Sequence, residues 1–402
     1  MKKISLAAIA FYMSILSTFA QTPERTVSDS SAYQSRKLKL EEVNFVSSHY
    51  RQDGNNSAVT GGIGTEKLTD FANSIDLHVS KYGLSGRKNT FNFELGIDTY
   101  TSASSDKIDP TTISSASSSD IRIYPSLNWT REDEKTGNSF GFTGSYSTEY
   151  DYQSVGAGIN LTRLSKDKNR QFDFKAQAFL DTWKVILPIE LRSVGGRGGE
   201  KSSGSSPRNS FSTSFSISQV INQRLQALII VEPSYQHGLL ATKYQRDYFT
   251  DGTVRAENLP GDRYKLPIAL RLNYFMGDQF ILRSFYRFYT DSWGIRAHTA
   301  ELEVPIKLSS FFSVSPFYRY NKQDGTRYFA PYGKHSTAET YYTSDYDLSS
   351  LHSNFIGAGI RLSPPNGVLG VQRISDMELR YGHYSRSTDL TSDAITLAVK
   401  FK

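Results

Sequence analysis

The sequence predicts an all-β protein, a transmembrane antiparallel β-barrel of about sixteen strands with short periplasmic turns and long extracellular loops. Two observations predict this fold. Apolar and polar residues alternate along segments of about ten residues, and short connections between those segments alternate with long ones. A strand points successive side chains to opposite faces, so this alternation is typical of a sheet with one apolar and one polar face.

The alternation is clearest in segments 91–98, 140–146, 266–274 and 312–318. Beyond residue 20 no apolar run approaches the ~18 residues of a membrane-spanning helix. We predict strands at 38–51, 71–82, 88–102, 119–131, 138–150, 153–164, 170–182, 209–221, 224–238, 264–275, 279–291, 294–307, 310–323, 351–363, 374–386 and 392–402. The last of these alternates up to a penultimate Phe401, which suits closure of a barrel against the first strand.

The predicted connections between strands fall into a short group and a long group. The long ones are 52–70, 103–118, 183–208, 239–263 and 320–350, and all of them fall at one end if successive strands run in opposite directions. Short periplasmic turns and long external loops are typical of bacterial outer-membrane barrels, whereas a soluble β-barrel or sandwich gives no reason for such sorting. The even strand number and the aromatic residues at strand ends agree with this interpretation.

The first twenty residues read as a signal peptide. Lys2 and Lys3 precede an apolar run over 4–16, and Thr18-Phe19-Ala20 forms a cleavage site. The run is too short for a membrane anchor. We therefore expect export in a Gram-negative bacterium, a periplasmic N-terminal tail at 21–37 and an outer-membrane barrel at 38–402.

Composition excludes several classes of protein. With no cysteine, the chain has neither a disulfide framework nor a thiolate metal site. The formal charge of +6 is too mild and too mixed for a nucleic-acid-binding protein. Aromatic residues make up 13% of the chain, which is too many for a disordered protein.

Charged residues recur on the strand face that we predict to line the lumen. A charge that faces lipid at the midplane costs ~2–4 kcal/mol, so charged positions should point inward. The alternate face, with Leu95, Ile268, Leu270, Val314, Leu397 and Val399, should contact lipid. The charges form either the selectivity field of an open channel or a salt-bridged filling of a closed barrel. They are Glu94, Asp98, Arg122, Arg271, Arg283, Arg287, Arg319 and Arg380.

A loop motif follows the first strand. Its glycines and short polar side chains favour turns and hydrogen bonds to the backbone, and it lacks the Lys-Ser/Thr of a phosphate loop. Segments 52–66 and 101–120 should pack together over the mouth of the barrel, although scattered acidic residues also leave a hard cation possible. The motif comprises Asp53, Gly54, Asn55, Ser57, Thr60, Gly61, Gly62, Gly64, Thr65 and Glu66, with Asp106 and Asp109 in the second segment.

Segments 49–70, 98–109 and 114–120, together with 149–154, 316–330 and 341–350, resemble the domain of unknown function 3570 family of predicted outer-membrane barrels. The resemblance covers nearly the whole mature chain and implies no established activity. Members of the family lie beside genes for a flavin-attaching transferase and thioredoxin-like proteins, which implies envelope redox or metal handling.

Signals of enzymatic activity are few. His383 and Ser385 share an outward face, but no third residue nearby in sequence completes a catalytic triad. We expect no enzyme and no cofactor. The function we predict is a channel or selective transporter of small polar solutes or ions; the alternative is a non-conducting, partner-binding barrel of an envelope redox or metal-handling system. Outer-membrane lipid is an expected partner, and an envelope protein a possible one.

Overall fold

A computed structural model describes residues 37–83, 87–101, 119–192 and 204–402. The predicted signal peptide, all but the last residue of the tail, and both Asp106 and Asp109 lie outside these residues. The strands are β1 Lys39–Gly54, β2 Leu68–Tyr82, β3 Lys88–Thr101, β4 Ser119–Asp133, β5 Asn138–Thr148, β6 Tyr152–Leu164, β7 Arg170–Lys184, β8 Ser205–Asn222, β9 Leu225–Val231, β10 Ser234–Gly238, β11 Arg246–Tyr248, β12 Val254–Ala256, β13 Asp262–Met276, β14 Phe280–Asp291, β15 Arg296–Glu303, β16 Ile306–Ser309, β17 Phe312–Asp324, β18 Leu351–Leu362, β19 Ile374–Arg386 and β20 Leu390–Phe401.

The strands form one closed antiparallel barrel with sixteen positions around its wall. Two positions are each built from two strands in line, β9 with β10 and β15 with β16, and a proline interrupts each at Pro233 and Pro305. Proline has no N–H to donate, so each of these positions lacks one ladder hydrogen bond. The barrel closes where β1 pairs with β20, from Val43 opposite Phe401 to Gly54 opposite Leu390. The predicted closed barrel is confirmed.

The longest described connections all lie at one end of the barrel. We call the end with the connections 83–87, 134–137, 165–169, 223–224, 277–279, 310–311 and 363–373 the short-turn end. The opposite end, which we call the long-loop end, carries the long connections 55–67, 239–261 and 325–350 together with the short ones 149–151, 292–295 and 387–389. Within the described residues no helix is both long enough and apolar enough to span a membrane.

The two faces of the wall differ in chemistry. Arg380 Nη1 of β19 lies 3.4 Å from Glu303 Oε1 of β15, although β17 and β18 separate these strands in the wall. Such a contact crosses the interior, so it identifies the lumen face. On the opposite face of β13, Leu266, Ile268 and Leu270 are 38%, 40% and 39% exposed. The outer surface is therefore a band of exposed apolar side chains, as a lipid-facing wall requires.

Three details differ from the sequence predictions. Strand β1 extends to Gly54, so Asp53 and Gly54 lie in the wall rather than in a loop. Strand β8 begins at Ser205 rather than at residue 209, because its first residues pair with the end of β7. The long connection 239–263 contains the hairpin of β11 and β12, which the sequence analysis missed. Its strands of three residues are too short to show a period of two.

Candidate functional site

The strand register places all eight predicted lumen charges on the lumen face. On β3 and β4, Asp98 stands opposite Arg122 in the strand register. Glu94 precedes Asp98 by four residues on the same face of β3. On β13 and β14, Arg271, Arg283 and Arg287 share the face of Ala269 and Asn273. Arg319 stands opposite Glu301, and Arg380 makes the contact with Glu303 that identifies the lumen face. No residue of this set lies on the apolar outer face.

Half of the charges belong to ion pairs. Arg319 Nε lies 2.5 Å from Glu301, while Arg283 and Arg380 both lie 3.4 Å from the single carboxylate of Glu303. Arg122 Nε lies 3.6 Å from Glu149, at the long-loop end. The pairs of Arg319 and Arg283 connect neighbouring strands, whereas the pair of Arg380 with Glu303 spans the two strands between β15 and β19.

The other half has no ion pair among the described residues. Asp98 accepts a hydrogen bond from Tyr124 at 2.9 Å, and Glu94 accepts one from Ser126 at 3.4 Å. The guanidinium of Arg271 stacks over the ring of Phe285 instead of meeting a carboxylate. Strand β3 is the third and β14 the eleventh of the sixteen wall positions, so these two strands face each other across the lumen. An acidic stripe therefore opposes a basic one.

Segments 55–67, 239–261 and 325–350 fold together over the long-loop end; we call them the loop layer. Their contacts bury polar side chains deeply. His335 and Thr343 have no exposed surface, and Asp247 and Glu257 are 1% and 2% exposed. Leu240, Ala241 and Leu259 pack with Trp293 into an apolar cluster beneath them. The layer is thus an ordered second core rather than a set of separate solvated loops.

Hydrogen bonds from three directions meet at Glu257. Thr343 Oγ1 donates to Glu257 Oε1 at 2.5 Å, and the backbone N–H of Thr242 donates to Oε2. Lys243 Nζ donates to the Glu257 backbone carbonyl at 2.7 Å. His335 Nε2 lies 3.1 Å from the Thr343 carbonyl, to which it donates. The network joins the segment 239–261 to the segment 325–350.

Burial raises the pKa of several carboxyl groups in the loop layer. It raises the pKa of Glu257 to about 8. Burial, followed by the neighbouring Asp347, raises the pKa of Asp345 to about 7. Burial also raises the pKa of Asp247 to about 6 and that of Glu66 to about 7. Removing water disfavours the charged carboxylate, so these groups hold protons at a higher pH than usual.

The loop motif docks on the rest of the layer through its glycines. An added Cβ on Gly61 would lie 2.7 Å from the ring of Tyr248, and one on Gly62 would lie 2.7 Å from the Ser344 carbonyl oxygen. Both glycines have positive φ, 81° and 84°, where other residues are strained. The close approach and the backbone shape together require glycine at these two positions.

Arginine side chains secure the same motif. Buried Arg246 donates to the Val59 carbonyl at 3.0 Å and pairs with Glu190 at 2.5 Å. Arg386, at the top of β19, lies 3.8 Å from Glu66. The predicted partner segment, 101–120, lies almost wholly outside the described residues, so its packing on 52–66 stays a prediction. The described partners are 246–248 and 344–346.

Other motif residues stay near the rim of the barrel. Asp53 lies 3.6 Å from Lys67, and both side chains are more than half exposed. Ser57 is buried, and its carbonyl accepts from Thr60 Oγ1 at 3.2 Å. Asn55, Gly64 and Thr65 line the same turn.

One acidic cluster was missed by the sequence analysis. Carboxylate oxygens of Asp120, Glu149 and Asp151 all lie within 4.8 Å of one another. Asp120 begins β4 and the other two occupy the connection between β5 and β6, which only the register brings together. Burial, followed by Asp120, raises the pKa of Asp151 to about 6. Asp120 is thus one of the scattered acidic residues for which the sequence left a cation possible, whereas Asp53 and Asp70 do not join this cluster.

His383 has a carboxylate partner that the sequence analysis did not find. Its Nδ1 lies 2.9 Å from Asp393 on β20, and Tyr381 also donates to that carboxylate at 2.7 Å. Tyr235, His237 and Asp262 repeat this arrangement on the outer face. The repeat carries no serine beside its histidine, and in the described structure no hydrogen bond joins Ser385 to His383. Exposed aromatic residues of this kind are typical of the interfacial girdles of membrane barrels.

Comparison with solved structures finds similar barrels at low sequence identity. The siderophore receptor PirA from Acinetobacter baumannii has 10% identity and a TM-score of 0.46, with 86% of this chain and 53% of that chain covered. This chain therefore spans about half the length of that receptor. OccK7 (OpdD) from Pseudomonas aeruginosa has 8% identity and a TM-score of 0.38, with 90% and 98% covered.

A BenF-like porin from Pseudomonas fluorescens Pf-5 has 8% identity and a TM-score of 0.36, with 90% of this chain and 98% of that chain covered. A search of curated proteins gives no match. The family model described as protein of unknown function (DUF3570) matches residues 99–387. That match covers most of the chain and includes the later segments on which the resemblance was based, while the loop motif at 52–66 lies outside it. The protein belongs to the DUF3570 family.

Proposed function

We propose that the protein is an outer-membrane channel for small polar solutes or ions, with its long-loop end outside the cell. The observation that carries this proposal is the opposition of unpaired charges across the lumen. Glu94 and Asp98 on β3 face Arg271 and Arg287 on β13 and β14. Charges kept apart on opposite walls create a transverse field, which selects among solutes in a water-filled passage.

The exposed apolar band supports the membrane location. Large side chains such as Leu127, Val155 and Ile356 are 51%, 56% and 57% exposed on the outer face. An apolar surface of this extent is unfavourable in water and suits a lipid environment. A closed barrel leaves no unpaired strand edge in the hydrocarbon, so it is one of the two folds that can span a bilayer.

The loop layer acts as the gate in this proposal. It covers the long-loop end with buried contacts, among them Glu257, His335 and Thr343. The same observation favours a second candidate function, a non-conducting barrel whose loop layer binds an envelope partner. The two candidates differ in whether ions pass when the layer is loosened.

Conductance in planar lipid bilayers tests the proposal. We expect stepwise conductance from the full chain, and a larger or more frequent opening when residues 55–64 are replaced by a short Gly-Ser linker. The double variant Glu94→Gln, Asp98→Asn should shift the reversal potential towards anion preference, and Arg271→Gln, Arg287→Gln towards cation preference. Silence of both the wild-type chain and the linker variant would refute the channel and favour the partner-binding barrel.

A further inference from the structure

A cavity of about 720 Å³ opens on the outer face of the wall at the short-turn end. It lies over the first residues of β5, between the last residues of β4 and β6, because the register sets Arg131 opposite Phe140 and Phe140 opposite Leu161. Side chains four positions apart on a strand share a face, so Arg131 lies on the same outer face as Leu127. The lining that matters here comprises Arg87, Arg131, Arg163, Phe140, Leu161 and Phe172.

The floor of the cavity is apolar. Phe140, Leu161 and Phe172 are all exposed, and they lie on the three successive strands β5, β6 and β7. Asn138, at the start of β5, accepts a hydrogen bond from the backbone N–H of Leu164 at 3.0 Å, so its side chain is held against β6. A hydrocarbon chain fits such a floor, because apolar surface needs no polar partner when it is buried.

The rim of the cavity carries guanidinium groups that have no protein partner. Within the part of the chain that the structure describes, Arg131 and Arg163 make no hydrogen bond, ion pair or ring contact. Arg163 is exposed. Arg131 is half-buried and its Nε is covered, so only its terminal nitrogens are available to a ligand.

The nearby carboxylates are engaged elsewhere. Asp133 Oδ2 lies 3.8 Å from Arg87 Nε, and its Oδ1 accepts from a backbone N–H of its own turn at 3.1 Å. In the adjoining turns, Glu134 accepts from Tyr82 at 2.6 Å, and Asp167 accepts hydrogen bonds within its own turn. Three arginines therefore stand against one aspartate around the cavity, and its rim is positively charged.

The cavity lies at the depth where a bilayer changes from hydrocarbon to headgroups. Arg131 is two residues from the end of β4, and Arg163 is one residue from the end of β6. On the hydrocarbon side of Arg131, the ring of Trp129 stacks on Phe142 while its Nε1 donates to Asn89 at 3.3 Å. Tryptophan rings with one apolar and one polar contact are typical of the membrane interface.

We propose that this cavity binds an anionic phospholipid of the leaflet at the short-turn end. Arg131 and Arg163 donate to its phosphodiester oxygens, and an acyl chain packs on the apolar floor. Guanidinium groups form strong hydrogen bonds with phosphate, and basic pockets beside an apolar wall bind acidic headgroups. In the proposed orientation this end is periplasmic, and the periplasmic leaflet of an outer membrane consists of phospholipid. The inference goes beyond the channel function and applies equally to a non-conducting barrel.

Native mass spectrometry of the purified protein in detergent tests the proposal. Phosphatidylglycerol and phosphatidylcholine with the same acyl chains are titrated separately, since only the first carries a net negative charge. We expect phosphatidylglycerol to bind at least about tenfold more tightly, because each basic residue near a headgroup contributes about fivefold in affinity. Arg163→Gln should lower this preference about fivefold and leave the melting temperature unchanged.

Arg170→Gln is the matched control. Arg170 is also an exposed arginine at the short-turn end of the outer face, but it lies outside the cavity and donates to Gln219 at 2.7 Å. This variant should keep the preference for phosphatidylglycerol within about twofold of the wild type. Equal affinity of the wild type for the two lipids, or an equal loss of preference in the two variants, would overturn the proposal.

Two further outcomes would assign the cavity to another occupant. Glycerophosphoglycerol carries the same phosphodiester without acyl chains, and it should not displace the bound lipid even in excess; displacement would indicate a site for a soluble anion. A protein dimer that Arg163→Gln dissociates would assign the surface to a second copy of the chain. Either result would overturn the proposal, whereas silent bilayers with intact lipid binding would refute only the channel.

Discussion

The barrel wall and the loop layer are stabilised by different interactions. The wall repeats one unit, a strand that pairs with its neighbours and places apolar side chains outward, so its contacts are close in sequence or in register. The loop layer has no repeat. Its central bond joins Glu257 to Thr343, 86 positions apart, and Arg246 reaches Val59 across 187 positions. The wall therefore depends on a pattern, whereas the layer depends on individual side chains.

Single substitutions should therefore have different consequences in the wall and in the loop layer. One altered residue in a repeated wall changes the contact with lipid but leaves the pairing of sixteen positions intact. One altered residue in the layer removes a contact that nothing else replaces.

The largest effect should come from a charge on the outer face of the wall. Leu270→Arg places a guanidinium towards lipid on β13, which should lower the free energy of unfolding by ~2–4 kcal/mol. Asn273→Arg, on the lumen face of the same strand, is the control and should cost much less. Urea unfolding of the protein refolded in lipid vesicles measures both. Equal losses would mean that the assigned faces are wrong.

The docking glycines should give the next largest effect. Gly62→Ala and Gly64→Ala impose the same backbone strain of ~1–2 kcal/mol, because the two glycines have φ of 84° and 81°. Only the first variant also pushes a methyl group against Ser344 and Tyr346, since Gly64 meets nothing closer than 3.5 Å. We expect Gly62→Ala to expose the loop layer to protease many times faster than Gly64→Ala, with the melting of the barrel unchanged. Identical cleavage rates would show that the loop motif is not docked there.

The buried carboxyl groups should make the loop layer sensitive to pH. Burial raises the pKa of Glu257 from 4.5 to about 8, so the folded layer keeps a proton that the unfolded segment has lost. Its contribution to stability is complete below pH 4.5 and is lost as the pH rises through 8. Asp345 and Glu66, both with pKa about 7, act in the same direction. Protease cleavage within 239–261 or 325–350 should accelerate between pH 5 and pH 8.5.

Glu257→Gln is the matched variant for this pH effect. The amide replaces a carboxyl group that is protonated at neutral pH, and Thr343 can turn its hydroxyl to accept from the new N–H. We expect cleavage near that of the wild type at pH 6 and a weaker acceleration above pH 7. An unchanged pH profile would assign the effect to the other carboxyl groups.

The same contrast explains what could be read from the sequence. The alternation of residues such as Leu266, Ile268 and Leu270 is local, so it predicted the strands and the lumen face of the eight charges. The proline at 233 marks the break between β9 and β10, but Pro125 and Pro267 lie within continuous strands, so a proline alone does not predict such a break. Tertiary pairing cannot be seen in a local pattern, which is why the acidic cluster and the bond from Thr343 to Glu257 were missed.

One feature of the loop motif was visible in the local sequence pattern, and another depended on tertiary contacts. Its glycines were recognised as turn formers, and two of them are required at the docked turn. The local sequence pattern could not identify the residues on which these glycines dock, because Tyr248 and Ser344 lie in other segments of the chain.

The smallest effect should come from the rim, within the same motif. Asp53 and Lys67 form an exposed pair 3.6 Å apart, with side chains 52% and 64% exposed. Water and salt screen such a pair, so Asp53→Asn should change the free energy of unfolding by no more than about 0.5 kcal/mol. Glu66 belongs to the same motif but is largely buried near Arg386, so Glu66→Ala should instead speed cleavage of the loop layer. Protease sensitivity and urea unfolding of both variants in parallel make the comparison. If Asp53→Asn loosened the layer as much as Glu66→Ala, the motif would act at the rim, and burial would not be what separates the two residues.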